Sequence, residues 1–148
     1  MATLTAPTNV RGTSGTGWSA KYGIYTFNTT SDTPLYVHFK TNVPTNSEKI
    51  GTIEAIGYNF GSAQPIRCAW GFYVYSSGVT SKGLETFTGS GLTANGIYKS
   101  SDNYLCIRGS SSTMYYIGFI LNAYIHPSYN FDISITAANQ NSNSGNYY

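Results

Sequence analysis

Two histidines, two cysteines and six carboxylates are the residues of the 148 best suited to acid–base or metal chemistry. His38 falls on the polar side of the alternating run Leu35-Tyr36-Val37-His38-Phe39-Lys40, and His126 precedes Pro127 at a strand end. Neither lies at ligand spacing from another His or Cys, so no metal is expected and both rings are read as solvated or rim groups. Gly89-Ser90-Gly91 imitates a nucleophile elbow but lacks the following helix, and is read as a turn. Asp32, Glu48, Asp102 and Asp132 sit beside turns or strand starts, where a carboxylate commonly caps backbone groups. Glu54 differs: within Ile53-Glu54-Ala55 it needs a partner, and Arg67 or Arg108 across strands is the expected one. Asp102-Asn103 brings one acid, too few for calcium. Glycoside cleavage needs two acids held close, and six scattered ones do not supply them. The chain is therefore read as a non-enzyme without a cofactor. Cys68 and Cys106 are read as reduced, packed thiols.

What remains is a surplus of rings: 14 Tyr, 7 Phe and 2 Trp, with only 9% of residues charged. Tyr36, Tyr58, Tyr73, Tyr75, Tyr98, Tyr104, Tyr116, Tyr124 and Tyr129 are more than one core can absorb, so some must face outward. Aromatics with few rotors and a polar tip suit subunit interfaces and surfaces that stack on sugar rings. Trp18, Tyr73 and Tyr75 are the expected exposed receptor or partner contacts, whereas Trp70 is assigned to the core. A net charge of +2 without a basic cluster argues against nucleic acid. No apolar run nears the roughly 18 residues of a membrane helix, so no membrane insertion is expected, and the start Met1-Ala2-Thr3-Leu4-Thr5 has no secretory pattern.

The elements that must hold these residues read almost wholly as strand, because 16 Gly and 5 Pro interrupt windows rich in Tyr, Ile, Thr, Val and Phe. Residues 1–17 read as a flexible arm, 18–138 as the domain and 139–148 as a polar tail that is mobile or folded against a neighbour. Strands are expected over Trp18 to Asn28, Leu35 to Lys40, Lys49 to Phe60, Ile66 to Tyr75, around Tyr98, over Tyr104 to Arg108, Met114 to Ile125 and Asn130 to Ala137. Ile66, Cys68, Trp70, Phe72 and Val74 alternate most cleanly and mark a central strand. In the last run the inward set is Phe131, Ile133, Ile135 and Ala137. Residues 76–96 read equally as a long loop or short edge strands, pinned by Leu84, Phe87 and Leu92. Seven or eight strands without helical crossovers predict an all-β, antiparallel, jelly-roll-like β-sandwich.

The run EAIGYNFGSAQPIRCAWGFYVY, Glu54 to Tyr75, preceded by YVHFKTNVP and followed by DISITAANQ, resembles a β-domain of tailed-bacteriophage fibre and virion structural proteins, from about Tyr22 onward. That resemblance implies a virion component assembled in the bacterial cytoplasm. It implies a fibre-tip or host-attachment module, generally a homotrimer, that contacts other virion proteins and a host surface glycan or protein. It carries over no functional residue, and the 148 residues contain no fibre shaft. Loops 76–96 and 108–114 are the expected host contacts. The alternative is a decoration or neck protein that cements virion subunits through the arm and the tail.

Overall fold

The computed structural model describes residues 8–11, 17–127 and 131–148. Among these lie ten strands and no helix: β1 (Thr8–Arg11), β2 (Ser19–Thr29), β3 (Tyr36–Pro44), β4 (Lys49–Asn59), β5 (Gln64–Tyr75), β6 (Gly78–Thr86), β7 (Thr93–Lys99), β8 (Tyr104–Ser110), β9 (Ile117–His126) and β10 (Ile135–Asn141). They form two antiparallel sheets, β1-β2-β9-β4-β5-β6 and β10-β3-β8-β7, packed as a β-sandwich. The long-range pairs β2–β9 and β3–β8 nest as in a jelly roll, and the β4–β5–β6 meander widens the first sheet beyond that plan. Seven or eight strands become ten because β1 forms inside the expected arm and β6 inside residues 76–96. The expected strand start at Asn130, and Tyr129, lie outside the described residues.

The alternation in β5 holds: Ile66, Cys68, Trp70, Phe72 and Val74 are all buried. They meet Val37, Phe39, Leu105 and Ile107 from the second sheet, and Phe27, Phe39 and Phe119 pack ring to ring at 5.1–5.9 Å. The Trp70 indole N–H crosses the core to donate to the Arg108 carbonyl at 2.9 Å. Both thiols are free and buried, and burial pushes each to about 12, so they stay protonated and inert.

Three packing expectations change. Six strands face four, so Leu84, opposite Trp70 in register, is left exposed, as is Phe87, and only Leu92 of the expected pins is buried. A register shift between Ile135 and Ala137 turns the end of β10 over, so that Ile135 and Ala138, not Ala137, pack on the core. His38, expected on a wet face, has 0% exposure. The residues read as a tail explain this: β10 continues to Asn141, and residues 142–148 fold back as a strap over the outer face of the second sheet. Asx turns at Asn141 and Asn143 shape the strap. Arg108 donates to the Gly145 carbonyl at 2.8 Å, and Ser101 N–H to the Tyr148 carbonyl at 3.3 Å.

The Asn143 carbonyl, 2.7 Å from His38 Nε2, can only accept, so Nε2 carries the proton and Nδ1 accepts from the Tyr98 hydroxyl at 2.9 Å. Burial lowers the His38 pKa from 6.5; the Asn143 bond opposes this and the Arg108 cation reinforces it. The unfolded chain therefore protonates first as pH falls. The stability held by neutral His38 is complete above the unfolded pKa of about 6.5 and declines below it until the folded value is passed. Thermal melts taken from about pH 7.5 down to about pH 5 should show a falling Tm, and His38→Gln should flatten that slope whatever its own Tm. An unchanged slope in the variant rules out this assignment.

Candidate functional site

At one end of the sandwich four connections meet: β2–β3 (residues 30–35), the β4–β5 hairpin (60–63), the β6–β7 turn (87–92) and the β8–β9 loop (111–116). Asn59, fully buried at the end of β4, ties three of them together. Its amide lies 2.9 Å from the Gly91 carbonyl, 3.0 Å from Ser111 Oγ and 2.7 Å from the Thr113 carbonyl. Thr113 Oγ1 donates to Asp32 at 2.5 Å, which brings in the fourth connection.

On this frame stand three exposed rings. Phe60 N–H donates to the Tyr116 carbonyl at 3.2 Å and Gly61 N–H to the Tyr115 carbonyl at 2.9 Å, which places Phe60 within 6.2 Å of both tyrosine rings; those two pack edge to face at 4.6 Å. Exposure reaches 61% for Phe60 and 54% for Tyr116. Tyr116 has φ of 49°, a left-handed conformation that costs an aromatic residue about 1–3 kcal/mol and is kept where surrounding bonds impose it. Beside it runs an open cleft of about 510 Å³ lined by Asn28, Thr29, Thr30, Tyr116, Ile117 and Gly118. Gly118 lets the Asn28 side chain lie close to the sheet, for a Cβ there would meet Asn28 Oδ1 at 2.7 Å. Rings fixed by loop backbone, next to amide and hydroxyl groups, can stack on an apolar face and hydrogen-bond a polyhydroxylated rim.

From this tip an apolar strip continues down the outer face of the first sheet. Tyr58 lies between Gly118 and Pro65, and Ile56 between Ile120 and Arg67. Tyr58, Ile56 and Ile120 are exposed.

Comparison with protein-family models, with curated proteins and with solved structures returns no match.

The three residues expected as contacts share a different part of the same face. Trp18 packs on His126 at 5.4 Å, His126 pairs with Ile50, Ile50 with Tyr73, and Tyr73 stacks on Tyr75 at 5.9 Å. They sit near Ile50, nine residues from Asn59 along β4, which is about 30 Å from the tip. The structure thus gathers Trp18, Tyr73 and Tyr75 in one row and separates them from Phe60, Tyr115 and Tyr116. Sequence reading overlooked Phe60 and Tyr115 as surface groups. The available signal was Tyr115-Tyr116 itself, because adjacent rings cannot both follow an inward alternation.

Glu54 finds neither arginine. It accepts from the Tyr124 hydroxyl at 2.7 Å; desolvation, and then this bond to the carboxylate, raise the tyrosine pKa. Arg108 instead holds Asn95 and the strap, and Arg67 stacks over Phe87. Asp132 pairs with Lys21 at 2.9 Å and Asp102 with Lys40 at 2.5 Å. Among the described residues no three His, Cys, Asp or Glu side chains cluster as metal ligands.

Proposed function

We propose that this domain is a non-enzymatic attachment module of a bacteriophage virion, of the fibre-tip type, which binds a host surface glycan through Phe60, Tyr115 and Tyr116. The observation that carries it is the set of three exposed rings held by backbone bonds between two loops, beside a cleft of amide and hydroxyl groups. Loops fixed on a rigid sandwich are where binding surfaces concentrate. The non-enzymatic reading is supported by the separate engagement of Asp32, Glu54, Asp102 and Asp132, each with a Thr, Tyr or Lys rather than with another acid. The row Trp18, Tyr73 and Tyr75 serves in this reading as the contact to other copies or other virion proteins, in the homotrimer implied by the phage resemblance.

An array of immobilised bacterial surface polysaccharides, probed with the intact chain, tests the proposal. Saturable binding to some members is expected; absence of binding to all overturns it. A second reading, a decoration or neck protein cementing virion subunits, is favoured by Ile56 and Ile120, exposed aliphatic residues adjoining across β4 and β9. It calls for affinity toward capsid or tail protein in place of polysaccharide.

A further inference from the structure

Arg67 lies where the apolar strip meets the β6–β7 turn. Its guanidinium sits 4.6 Å from the Phe87 ring centroid, and both residues are tied locally by backbone: Phe87 N–H donates to the Arg67 carbonyl at 3.1 Å and Arg67 N–H to Ser90 Oγ at 3.0 Å. Stacking on a ring holds the planar fork in place while leaving its N–H groups in the plane available. Ile56, Pro65, Phe87 and Ser90 frame an open cleft of about 560 Å³ around it. The ion pairs among the described residues are Lys21–Asp132 and Lys40–Asp102, so this guanidinium has no carboxylate partner there. Glu54, two pairs further along β4 on the same face, is engaged by Tyr124. Ile56 and Phe60 are four residues apart on the same chain segment, about 13 Å. The cation and the tip rings therefore lie along one continuous strip.

We infer, resting on the glycan-binding proposal, that the ligand is an acidic oligosaccharide and that Arg67 receives a sugar carboxylate in a bidentate pair while Tyr58, Phe60 and Tyr116 carry the neighbouring rings. The planar carboxylate matches the guanidinium fork, and at this exposed position the paired geometry, rather than desolvation, supplies the attraction. Salt weakens the interaction accordingly.

The test uses the intact chain and those array polysaccharides that bind it. Each is compared with its own carboxyl-reduced form, in which the acid becomes a primary alcohol, and with a dephosphorylated form. Carboxyl reduction is expected to cut affinity about 10-fold or more, and dephosphorylation to leave it unchanged. Arg67→Ala should lose the same factor on the native polysaccharide and nothing on the reduced one, and Arg67→Lys should recover part of it, since a point charge lacks the fork. Circular dichroism of both variants should match the parent, because Arg67 is exposed. Equal binding of native and reduced forms, loss on dephosphorylation instead, or undiminished binding by Arg67→Ala overturns the inference while glycan binding stands. Failure of every polysaccharide removes the glycan proposal itself, and the inference with it.

Discussion

Replacing Trp70, the largest fully buried side chain among the described residues, by alanine is expected to lower the unfolding free energy by about 3–5 kcal/mol. Trp70 is fully buried at the centre of β5, between the two sheets, so truncation opens a cavity that the flanking β4, held by ladders to both β5 and β9, cannot move in to close. It also removes the indole donor from the Arg108 carbonyl, an orphaning that costs about 1–3 kcal/mol where water cannot enter. Against a total of about 5–15 kcal/mol for a domain of this size, such a loss removes a large fraction of the stability. Trp70→Phe separates the two contributions: most of the volume returns, the hydrogen bond does not, and the expected loss falls to about 1–3 kcal/mol. Urea titration of both variants measures this directly. Near-equal midpoints for Trp70→Ala and the parent would mean that the sheets do not pack across this residue.

The second large effect is on binding, with stability spared. Joint replacement of Phe60 by alanine and Tyr116 by glycine is expected to weaken polysaccharide binding by at least about 30-fold, the scale of losing one central hot spot of about 2 kcal/mol even if the two are not additive. Both rings are exposed, so their removal leaves no core cavity. Glycine at 116 also relieves the left-handed backbone at φ 49°, and the variant should melt at or slightly above the parent temperature. A double variant that melts normally and still binds normally would remove the tip from the function.

Much of the fold was legible because β-structure writes burial into alternate residues. Ile66, Cys68, Trp70, Phe72 and Val74 face one dense layer, and period two reports that faithfully. His38 was misread for the same reason: alternation reveals one covered face, and here the second face of β3 is covered by a strap whose hold is backbone carbonyls and Asx turns. Carbonyls leave no mark on composition, so ANQNSNSGNYY reads as a loose polar end. Ala137 failed through a bulge, which shifts phase by one residue without changing residue types. The tip was hidden more deeply. Phe60 and Tyr116 are 56 positions apart in the numbering and meet only because Asn59 pairs with Ile117 in the β4–β9 register. Glu54 went to Tyr124 for the same kind of reason, a diagonal on the neighbouring strand that no local pattern announces.

Oxidative footprinting of the intact chain, with and without a saturating polysaccharide from the array, tests most directly where this protein binds. Tyr58, Tyr115 and Tyr116 should be protected from labelling, with Trp18, Tyr73 and Tyr75 labelled as in the free protein. Protection confined to Trp18, Tyr73 and Tyr75, with the tip rings still fully labelled, would contradict the assignment.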